Sequence, residues 1–454
     1  MTTEHSPPTP SGQGGPEPDR STGDARPAGR TDDAPSRGGT TGGVAVDDVP
    51  VPVPAPGAEG RSGYGARSWS GSRSASTWLR NGWARLPGAV QATLPLWVAS
   101  RVAVVIASLA GARALSNGPV RDVPGLTTLW DRWDVGLFTK VARYGYLSDA
   151  YSDRTEVDFP GLPLAIRAVH VVVPDWIAAG LVVSFLVGIL GVAALWRLAA
   201  DEVGEADARF AVLALVCFPY AVFLFAAYSE GVFLGFAAAA WLAARRDRWL
   251  LAGLLGAAAA SARVTGLPFC AALVVQYVVV RRAAGRPVVA RPALALALPP
   301  LPIIGFILYL RVRSGQWDSY TDAMRAGWNR AVDWPWHGWS KTWHSAFDGN
   351  GAATFVWFWR GELLAVVIGV LLTAVLLWSR RWGEATFVGL MTILMSFSNY
   401  YASGIRGILV AFPLYLLLAR AGARRPWVRG VYVWCCAPLM VVFVVAFTQG
   451  NWVD

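Results

Sequence analysis

The sequence predicts an all-α, polytopic membrane protein, and three observations support this prediction. Of its 454 residues, 54% are hydrophobic and only 15% are charged, whereas soluble domains contain roughly 25% charged residues. After about residue 90, long apolar runs follow one another with only short charged gaps between them. Lipid accommodates that much apolar sequence, and helices satisfy every backbone hydrogen bond within it.

The chain divides into a tail and a membrane domain. Residues 1–78 are rich in Pro, Gly, Ser, Thr, Asp and Arg, a composition that cannot bury enough surface to offset the entropy of ordering. We therefore expect a disordered cytoplasmic tail, and no signal peptide, because no apolar core follows Met1. Residues 79–454 form the predicted membrane-embedded domain.

Hydropathy predicts about eleven transmembrane helices. They span residues 94–114, 177–198, 210–227, 230–244, 249–265, 266–281, 293–312, 361–378, 385–401, 405–420 and 430–448. The apolar stretch 161–173 is shorter and contains Arg167 and His170. A run of that length is more often re-entrant or juxtamembrane than spanning.

Basic residues predict the orientation of these helices. Clusters occur at Arg80–Arg85, Arg245–Arg248, Arg281–Arg291, Arg380–Arg381 and Arg420–Arg429. If 161–173 does not cross, all of them fall on the side of the N-terminus, as the positive-inside rule requires. The sequence thus predicts a multi-pass protein of the cell membrane with a cytoplasmic N-terminus. The loops 115–176 and 313–360 are then external.

Charge and cysteine content exclude other classes of protein. The net charge is +10, and the Lys and Arg residues that produce it lie in gaps between predicted helices, where they set the topology. We therefore expect no nucleic-acid partner. The four cysteines lie inside apolar runs, and the four histidines have no metal-ligand spacing. No metal or other cofactor is predicted.

The first external loop carries two acids, Asp131 and Asp134, beside Trp133. A spacing of three places both carboxylates on one face of a helix. A carboxylate that is partly desolvated at a membrane surface suits a general base. The alternative is an interfacial helix with ordinary solvated acids.

Further polar residues lie at the ends of predicted helices on the same side. Tyr228-Ser229-Glu230 separates two apolar runs; Glu230 is either functional or part of a helix cap. Arg263 and Arg406 interrupt apolar sequence, where arginine either binds phosphate or extends to the interface. Arg101 lies in the middle of the first predicted span, and we expect it to pair with a carboxylate of the first loop.

Four segments in sequence order resemble the PIG-V type mannosyltransferases. They are Arg132-Trp133-Asp134 to Gly145-Tyr146, Phe159-Pro160-Gly161-Leu162-Pro163-Leu164 with Arg167, Tyr228-Ser229-Glu230, and Arg263 to Gly266. The resemblance covers most of residues 90–420. That family is similar to glycosyltransferases of the membrane-embedded GT-C fold. Some related enzymes carry Asp-x-Asp, whereas two residues separate Asp131 from Asp134 here, so no metal-chelating pair is expected.

The resemblance implies transfer of mannose, with inversion, from a polyprenyl-phosphate donor on the external face of the membrane. The acceptor is a glycan, a lipid or a protein, and membrane lipid surrounds the enzyme. In this interpretation Asp134 is the catalytic base, with Asp131 and Glu230 as supporting acids. The donor phosphate binds Arg263, Arg406 and Arg101. Substrate contacts are expected from Trp133, Tyr228 and Ser229.

A transporter or lipid-linked-sugar flippase is the main alternative function. Such proteins place ionisable residues near the middle of the bilayer and often contain internal repeats. No repeat is evident in this sequence, and its acids lie in loops and at helix ends.

Overall fold

The computed structural model describes residues 86–116, 124–349 and 353–453, and these residues form helices and loops without any strand. The all-α prediction is therefore confirmed for this part of the chain. Backbone contacts divide the protein into Met1–Trp69 and Ser70–Asp454, and every helix below belongs to the second unit. The predicted tail, residues 1–78, lies outside the described residues.

Helices alternate with short connections along the whole described chain. The first eight are α1 Gly88–Ala114, α2 Leu126–Trp130, α3 Asp134–Tyr144, α4 Gly161–His170, α5 Trp176–Val203, α6 Glu205–Val216, α7 Ser229–Arg245 and α8 Trp249–Ala260. The remaining nine are α9 Gly266–Ala283, α10 Leu301–Ser314, α11 Ser319–Trp328, α12 Pro335–Phe347, α13 Ala353–Trp378, α14 Trp382–Ser396, α15 Gly404–Val410, α16 Phe412–Arg424 and α17 Trp427–Thr448. Short 3-10 turns occupy Thr155–Val157, Ala221–Leu224 and Arg291–Ala297.

Six described helical segments are long and apolar enough to cross a membrane, by length and composition. They are α1, α5, α9, Arg291–Ser314, Phe355–Trp378 and α17. A seventh is present if α15 and α16, which meet at a bend of 62°, form one span. The chain is a multi-pass membrane protein, but the predicted count of eleven spans is not confirmed.

The structure has fewer spanning helices than predicted because several of its apolar helices are short. Helix α6 has 12 residues, α7 has 17, α8 has 12 and α14 has 15, whereas a spanning helix needs about 20. Most of α7 is buried against other parts of the protein, α5 and α8 among them. Its apolar composition thus reflects burial in protein, which hydropathy cannot distinguish from exposure to lipid.

Helix α4 corresponds to the stretch predicted to be re-entrant. Its 10 residues extend about 15 Å, too short to cross a bilayer core of ~30 Å. Gly161 begins the helix, and its N–H donates to the Ser261 carbonyl at 2.7 Å. A Cβ at Gly161 would lie 2.4 Å from the Ser261 hydroxyl oxygen. This close contact joins the first loop to the turn between α8 and α9.

A group of ion pairs, here called the distal network, links the ends of four helices. Glu202 contacts Arg245 at 2.7 Å, Arg381 at 2.9 Å and Arg420 at 2.8 Å. Glu384 contacts Arg245 at 2.7 Å and also Arg381. Basic residues from three of the predicted clusters therefore gather at one end of the helices.

Candidate active site

Asp134 is the first residue of α3 and follows a residue with an unusual backbone. Trp133 adopts φ 53° and ψ −123°, a conformation that costs a side-chain-bearing residue ~1–3 kcal/mol. The backbone N–H of Asp134 donates to the Tyr228 hydroxyl at 3.1 Å. The conformation of Trp133 and the hydrogen bond to Tyr228 thus fix the orientation of Asp134 at the start of α3.

Glu230 lies at the centre of a cluster of charged side chains. Its carboxylate is fully buried, and its Oε1 contacts both Arg263 and the Nε of Arg406, the latter at 2.5 Å. Glu230 lies in the first turn of α7, where the helix dipole favours a negative charge. This carboxylate therefore holds two guanidinium groups from distant parts of the sequence side by side.

Arg406 connects Glu230 to Asp134. Its Nη1 lies 3.4 Å from Oδ2 of Asp134, and its guanidinium lies 4.9 Å from the ring centres of both Phe223 and Tyr228. The Asp134 side chain is 21% exposed, whereas that of Arg406 is 7% exposed. Asp134 is thus the carboxylate of this cluster that solvent or a substrate reaches. We call Asp134, Glu230, Arg263 and Arg406 the site cluster.

The structure brings together four of the residues predicted to act at one site, but it changes the setting of Arg406. The prediction placed Arg406 on a donor phosphate. Here its guanidinium is shared between the Glu230 and Asp134 carboxylates. These contacts suit an orienting role of Arg406 toward Asp134, and its predicted binding of a donor phosphate stays a prediction.

Asp131 and Arg101 lie apart from the site cluster. Asp131 is exposed, and within the described part of the chain it forms no ion pair. Arg101 was expected to pair with an acid of the first loop. Instead its guanidinium lies 4.0 Å from the centre of the Trp97 ring, and no described carboxylate is within ion-pair distance. A buried arginine over an aromatic face gains cation–π stabilisation without needing a carboxylate.

The three predicted substrate contacts differ in exposure. Trp133 is exposed and meets Trp452 edge to face, with ring centres 4.7 Å apart, so it remains available to a substrate. Tyr228 and Ser229 are buried, and the Ser229 hydroxyl accepts from Nη1 of Arg263 at 3.3 Å. Both residues support the acids and arginines beside them, and their contact with a substrate stays a prediction.

Asp158 was not predicted, although it is the carboxylate whose charge interacts with Asp134. It lies in the first loop, is 8% exposed, and its Oδ2 has no hydrogen-bond partner among the described residues. Burial raises the pKa of this carboxyl well above its usual range; the negative charge of Asp134 raises it further, and Arg406 opposes the shift. Asp158 directly precedes Phe159-Pro160, which belong to one of the four segments that resemble PIG-V type mannosyltransferases. That position was the feature of the sequence that could have indicated Asp158.

Glu362 was also missed. It is buried near the start of the apolar part of α13, and it accepts the backbone N–H of Gly404 at 2.7 Å. This contact fixes the first turn of α15, which carries Arg406 two residues later. An acid inside an apolar run is costly unless it has such a role, so the sequence did contain a signal for it.

No group of three His, Cys, Asp or Glu side chains suited to a metal ion occurs within the described ranges. The absence of a metal requirement nevertheless stays a prediction. The four cysteines are free thiols, of which Cys217 is buried and Cys435 exposed. They take no part in the site cluster.

Comparison with known proteins gives structural neighbours and no sequence relatives. No protein-family model matches the sequence, and no curated protein matches it. The chain is similar to ArnT from Cupriavidus metallidurans bound to undecaprenyl phosphate, with a TM-score of 0.45 and 14% identity over 79% of this chain and 77% of that one. It is also similar to the structure of that ArnT in the apo state, with a TM-score of 0.45 and 15% identity over 83% of this chain and 78% of that one. Similarity of this degree does not assign a function, which has to come from the residues of the chain itself.

Proposed function

We propose that the chain is an integral membrane glycosyltransferase of GT-C-like fold that transfers a sugar from a polyprenyl-phosphate donor to an acceptor hydroxyl. One observation carries the proposal: the partly exposed Asp134 carboxylate is held by Arg406, and Arg263 lies in the same cluster. A fixed carboxylate beside a guanidinium suits a reaction that removes a proton from the nucleophile and places negative charge on a departing phosphate.

The proposed reaction is a single displacement. The acceptor oxygen attacks the anomeric carbon from the face opposite the phosphate, so that its new bond forms while the bond to the phosphate oxygen breaks. The bonding electrons leave with the phosphate, and the proton of the acceptor hydroxyl passes to Asp134. One displacement inverts the configuration of the sugar carbon, and a phosphate leaving group needs no separate acid.

The arrangement of the cluster divides the roles among its members. Glu230 orients Arg263 and Arg406, because one of its oxygens contacts both. Arg406 positions Asp134, and Arg263 neutralises the phosphate. Asp131 and Arg101, which lie outside the cluster, support the reaction indirectly at most.

Mannose as the donor sugar and the external location of the site belong to the same proposal. The four segments that resemble PIG-V type mannosyltransferases support mannose, since they include Asp134, Glu230 and Arg263. The distribution of basic clusters supports an external site. In addition, the site cluster and the distal network lie at opposite ends of α7, which carries Glu230 near its start and Arg245 at its end.

The first prediction tests the base. Purified protein is incubated with polyprenyl-phosphate mannose and candidate acceptors, and release of free polyprenyl phosphate is measured. We expect Asp134→Asn to lower turnover by ~10²–10⁴-fold, the usual contribution of general-base catalysis. Donor affinity should change little, because the amide keeps the shape of the side chain.

Asp131→Asn is the matched control, since Asp131 lies in the same loop but is exposed and outside the cluster. It should retain most of the turnover. Normal turnover in Asp134→Asn would remove the base assignment. Transport of a lipid-linked sugar across vesicles by a wild-type protein that releases no polyprenyl phosphate from any donor would establish the transporter alternative instead.

A further inference from the structure

A cavity of about 1320 Å³ lies at the same end of the helices as the distal network. Its wall is formed by the start of α1, the second half of α5, the start of α6, the end of α7 and the start of α8. Arg246 in this wall directly follows Arg245 of the distal network, and the site cluster lies at the opposite end of α7. Small-molecule sites usually measure ~300–1,000 Å³, so this space suits a larger ligand such as a lipid.

Four arginines line the cavity, namely Arg197, Arg209, Arg246 and Arg248. Two carboxylates neutralise part of their charge. Asp201 lies 3.1 Å from Arg197 and 4.0 Å from Arg246, and Glu205 lies 3.8 Å from the first of these arginines. Arg209 and Arg248 are exposed, and no carboxylate among the described residues lies within ion-pair distance of either. This rim of arginines therefore carries an excess of positive charge.

The arginines lie toward one end of the cavity, and apolar residues line the rest. Much of the lining falls within residues 190–197 of α5, 239–246 at the end of α7 and 248–255 at the start of α8. Each range has an arginine at the end near the distal network and a leucine or alanine at the other. A separation of seven residues corresponds to ~10 Å along a helix. The cavity therefore extends about this far from the arginines into apolar surroundings.

Small side chains leave the space between α5 and α7. Ala193, Ala194 and Ala239 line the cavity there, and we call them the alanine floor. Leu190 and Leu251, which also line the cavity, are exposed, so the cavity opens toward the side of the protein. Because α5 is long and apolar enough to cross the membrane, this opening faces hydrocarbon, and an acyl chain can enter it from the bilayer.

The positive-inside rule alone accounts for arginines at this end of the helices, but it does not account for a cavity between them. Arg424 and Arg425 illustrate the difference, since both are exposed at the end of α16 and neither lines the cavity. Basic pockets between membrane helices on the cytoplasmic side bind the headgroups of anionic lipids. A rim of arginines next to an apolar floor matches a ligand that combines a negative headgroup with hydrocarbon chains.

We infer that this cavity binds an anionic phospholipid from the leaflet on the side of the distal network. Arg209 and Arg248 contact its phosphate, and its acyl chains lie along the alanine floor. The lipid thereby links α6 to α8. The inference goes beyond the proposed function, because the site cluster lies at the other end of α7 and sugar transfer involves no group of this cavity.

The second prediction measures lipid binding without any sugar donor. Full-length protein is freed of lipid in detergent and titrated with dioleoyl phosphatidylglycerol, dioleoyl phosphatidylcholine or glycerol phosphate, and native mass spectrometry counts the bound molecules. We expect phosphatidylglycerol to bind ~10-fold more tightly than phosphatidylcholine, whose headgroup has no net charge to attract the arginines. Glycerol phosphate, which carries a phosphate without acyl chains, should bind more weakly than phosphatidylglycerol.

Substitution of two arginines tests the contact with the headgroup. The double variant Arg209→Gln, Arg248→Gln should weaken phosphatidylglycerol binding about 10- to 30-fold, because one basic residue near an anionic lipid surface contributes roughly fivefold. The matched control is Arg424→Gln, Arg425→Gln, which removes the same charge at the same end of the protein but outside the cavity. This control should bind like wild type.

Substitution of one alanine tests the apolar floor. Ala193→Phe keeps every charge and fills part of the space between α5 and α7, so it should weaken the binding of both phospholipids. Thermal melting of each variant without lipid separates loss of binding from loss of folding.

Four results would overturn the inference. Equal affinity for the two phospholipids would exclude recognition of a negative headgroup, and unchanged affinity in a folded Arg209→Gln, Arg248→Gln protein would exclude the cavity as the site. An equal loss in both double variants would show general attraction to basic residues. A dimer in lipid-free detergent that Ala193→Phe dissociates, with no lipid bound to wild type, would assign the cavity to a second copy of the chain. Sugar transfer is measured separately, so each of these results leaves the proposed function intact.

Discussion

Asp158 shows how the setting of a single carboxyl group changes its protonation. In the unfolded chain it ionises near pH ~3.9, whereas burial and the charge of Asp134 raise its pKa in the folded protein. Between these two pKa values the folded state binds more protons than the unfolded state. The free energy of unfolding therefore falls as the pH rises through this window and becomes level above the folded-state pKa.

The third prediction removes this effect. Asp158→Asn resembles the protonated acid, so it should melt like wild type near pH 4 and at a higher temperature at pH 7 to 8. The gain in free energy of unfolding is ~1.4 kcal/mol for each unit by which the pKa is raised. Thermal melts between pH 4 and 8 measure it.

Asp149→Asn is the control, because Asp149 lies in the same loop but is exposed. Its melting temperature should follow that of wild type at every pH. A uniform loss of stability in Asp158→Asn, independent of pH, would contradict the raised pKa of Asp158.

At the scale of elements, the contact between α4 and the turn after α8 controls where Arg263 lies. Gly161 contacts Ser261 so closely that a Cβ would lie 2.4 Å from its hydroxyl oxygen and 2.8 Å from its backbone carbonyl. Because Arg263 follows Ser261 by two residues, any displacement of this turn moves a guanidinium of the site cluster.

The fourth prediction uses this contact. We expect Gly161→Ala to cost ~1–3 kcal/mol of stability, as overpacking usually does, and to lower sugar transfer through the displaced Arg263. Gly125→Ala is the matched control, since no atom of the described residues lies within 4 Å of a Cβ at Gly125 and its φ is −63°. If Gly161→Ala and Gly125→Ala have equal stability and activity, the contact does not position the arginine.

The elements also show how far the sequence predicts this protein. Long apolar helices such as α1, α5 and α17 are evident from hydropathy because each presents much of its surface outward. The shorter α6 and α7 are also apolar, but other parts of the protein cover most of their residues, so the number of spans could not be counted from composition. From the sequence, the acids and arginines could be predicted only to lie on the same side of the membrane. Which arginine meets which carboxylate depends on packing between residues up to 272 positions apart.

Single residues in connections were harder still to predict. Asp158 was not singled out in the sequence, and only the three-dimensional structure shows that its carboxyl group is buried where the charge of Asp134 acts on it. Its significance comes from residues that are distant in the sequence, and neither composition nor local spacing shows which of them will be close to it in the fold.

For the whole molecule, the two charged groups at opposite ends define an axis. Glu230 and Arg245 are 15 residues apart on α7, which corresponds to about 22 Å. The positive-inside rule predicts that the distal network faces the cytoplasm and the site cluster faces outward.

The fifth prediction tests this orientation with single cysteines in a cysteine-free background. Ser152→Cys and Ser340→Cys, at exposed positions of the first and second external loops, should react with an impermeant maleimide on intact cells. Ser379→Cys, exposed beside the distal network, should react only after permeabilisation. The reverse pattern would place the site cluster in the cytoplasm and exclude an external donor.

The bond between Arg406 and Asp134 also has a consequence for biosynthesis. These residues are 272 positions apart, so at 5–20 residues per second the ribosome needs roughly 14–54 seconds to add Arg406 after Asp134. At the end of that interval Asp134, Glu230 and Arg263 have all been synthesised before the arginine that contacts Asp134 and Glu230. The site cluster is therefore completed late in translation, and a nascent chain that stops before residue 406 lacks the arginine that the proposed transfer of a lipid-linked sugar requires.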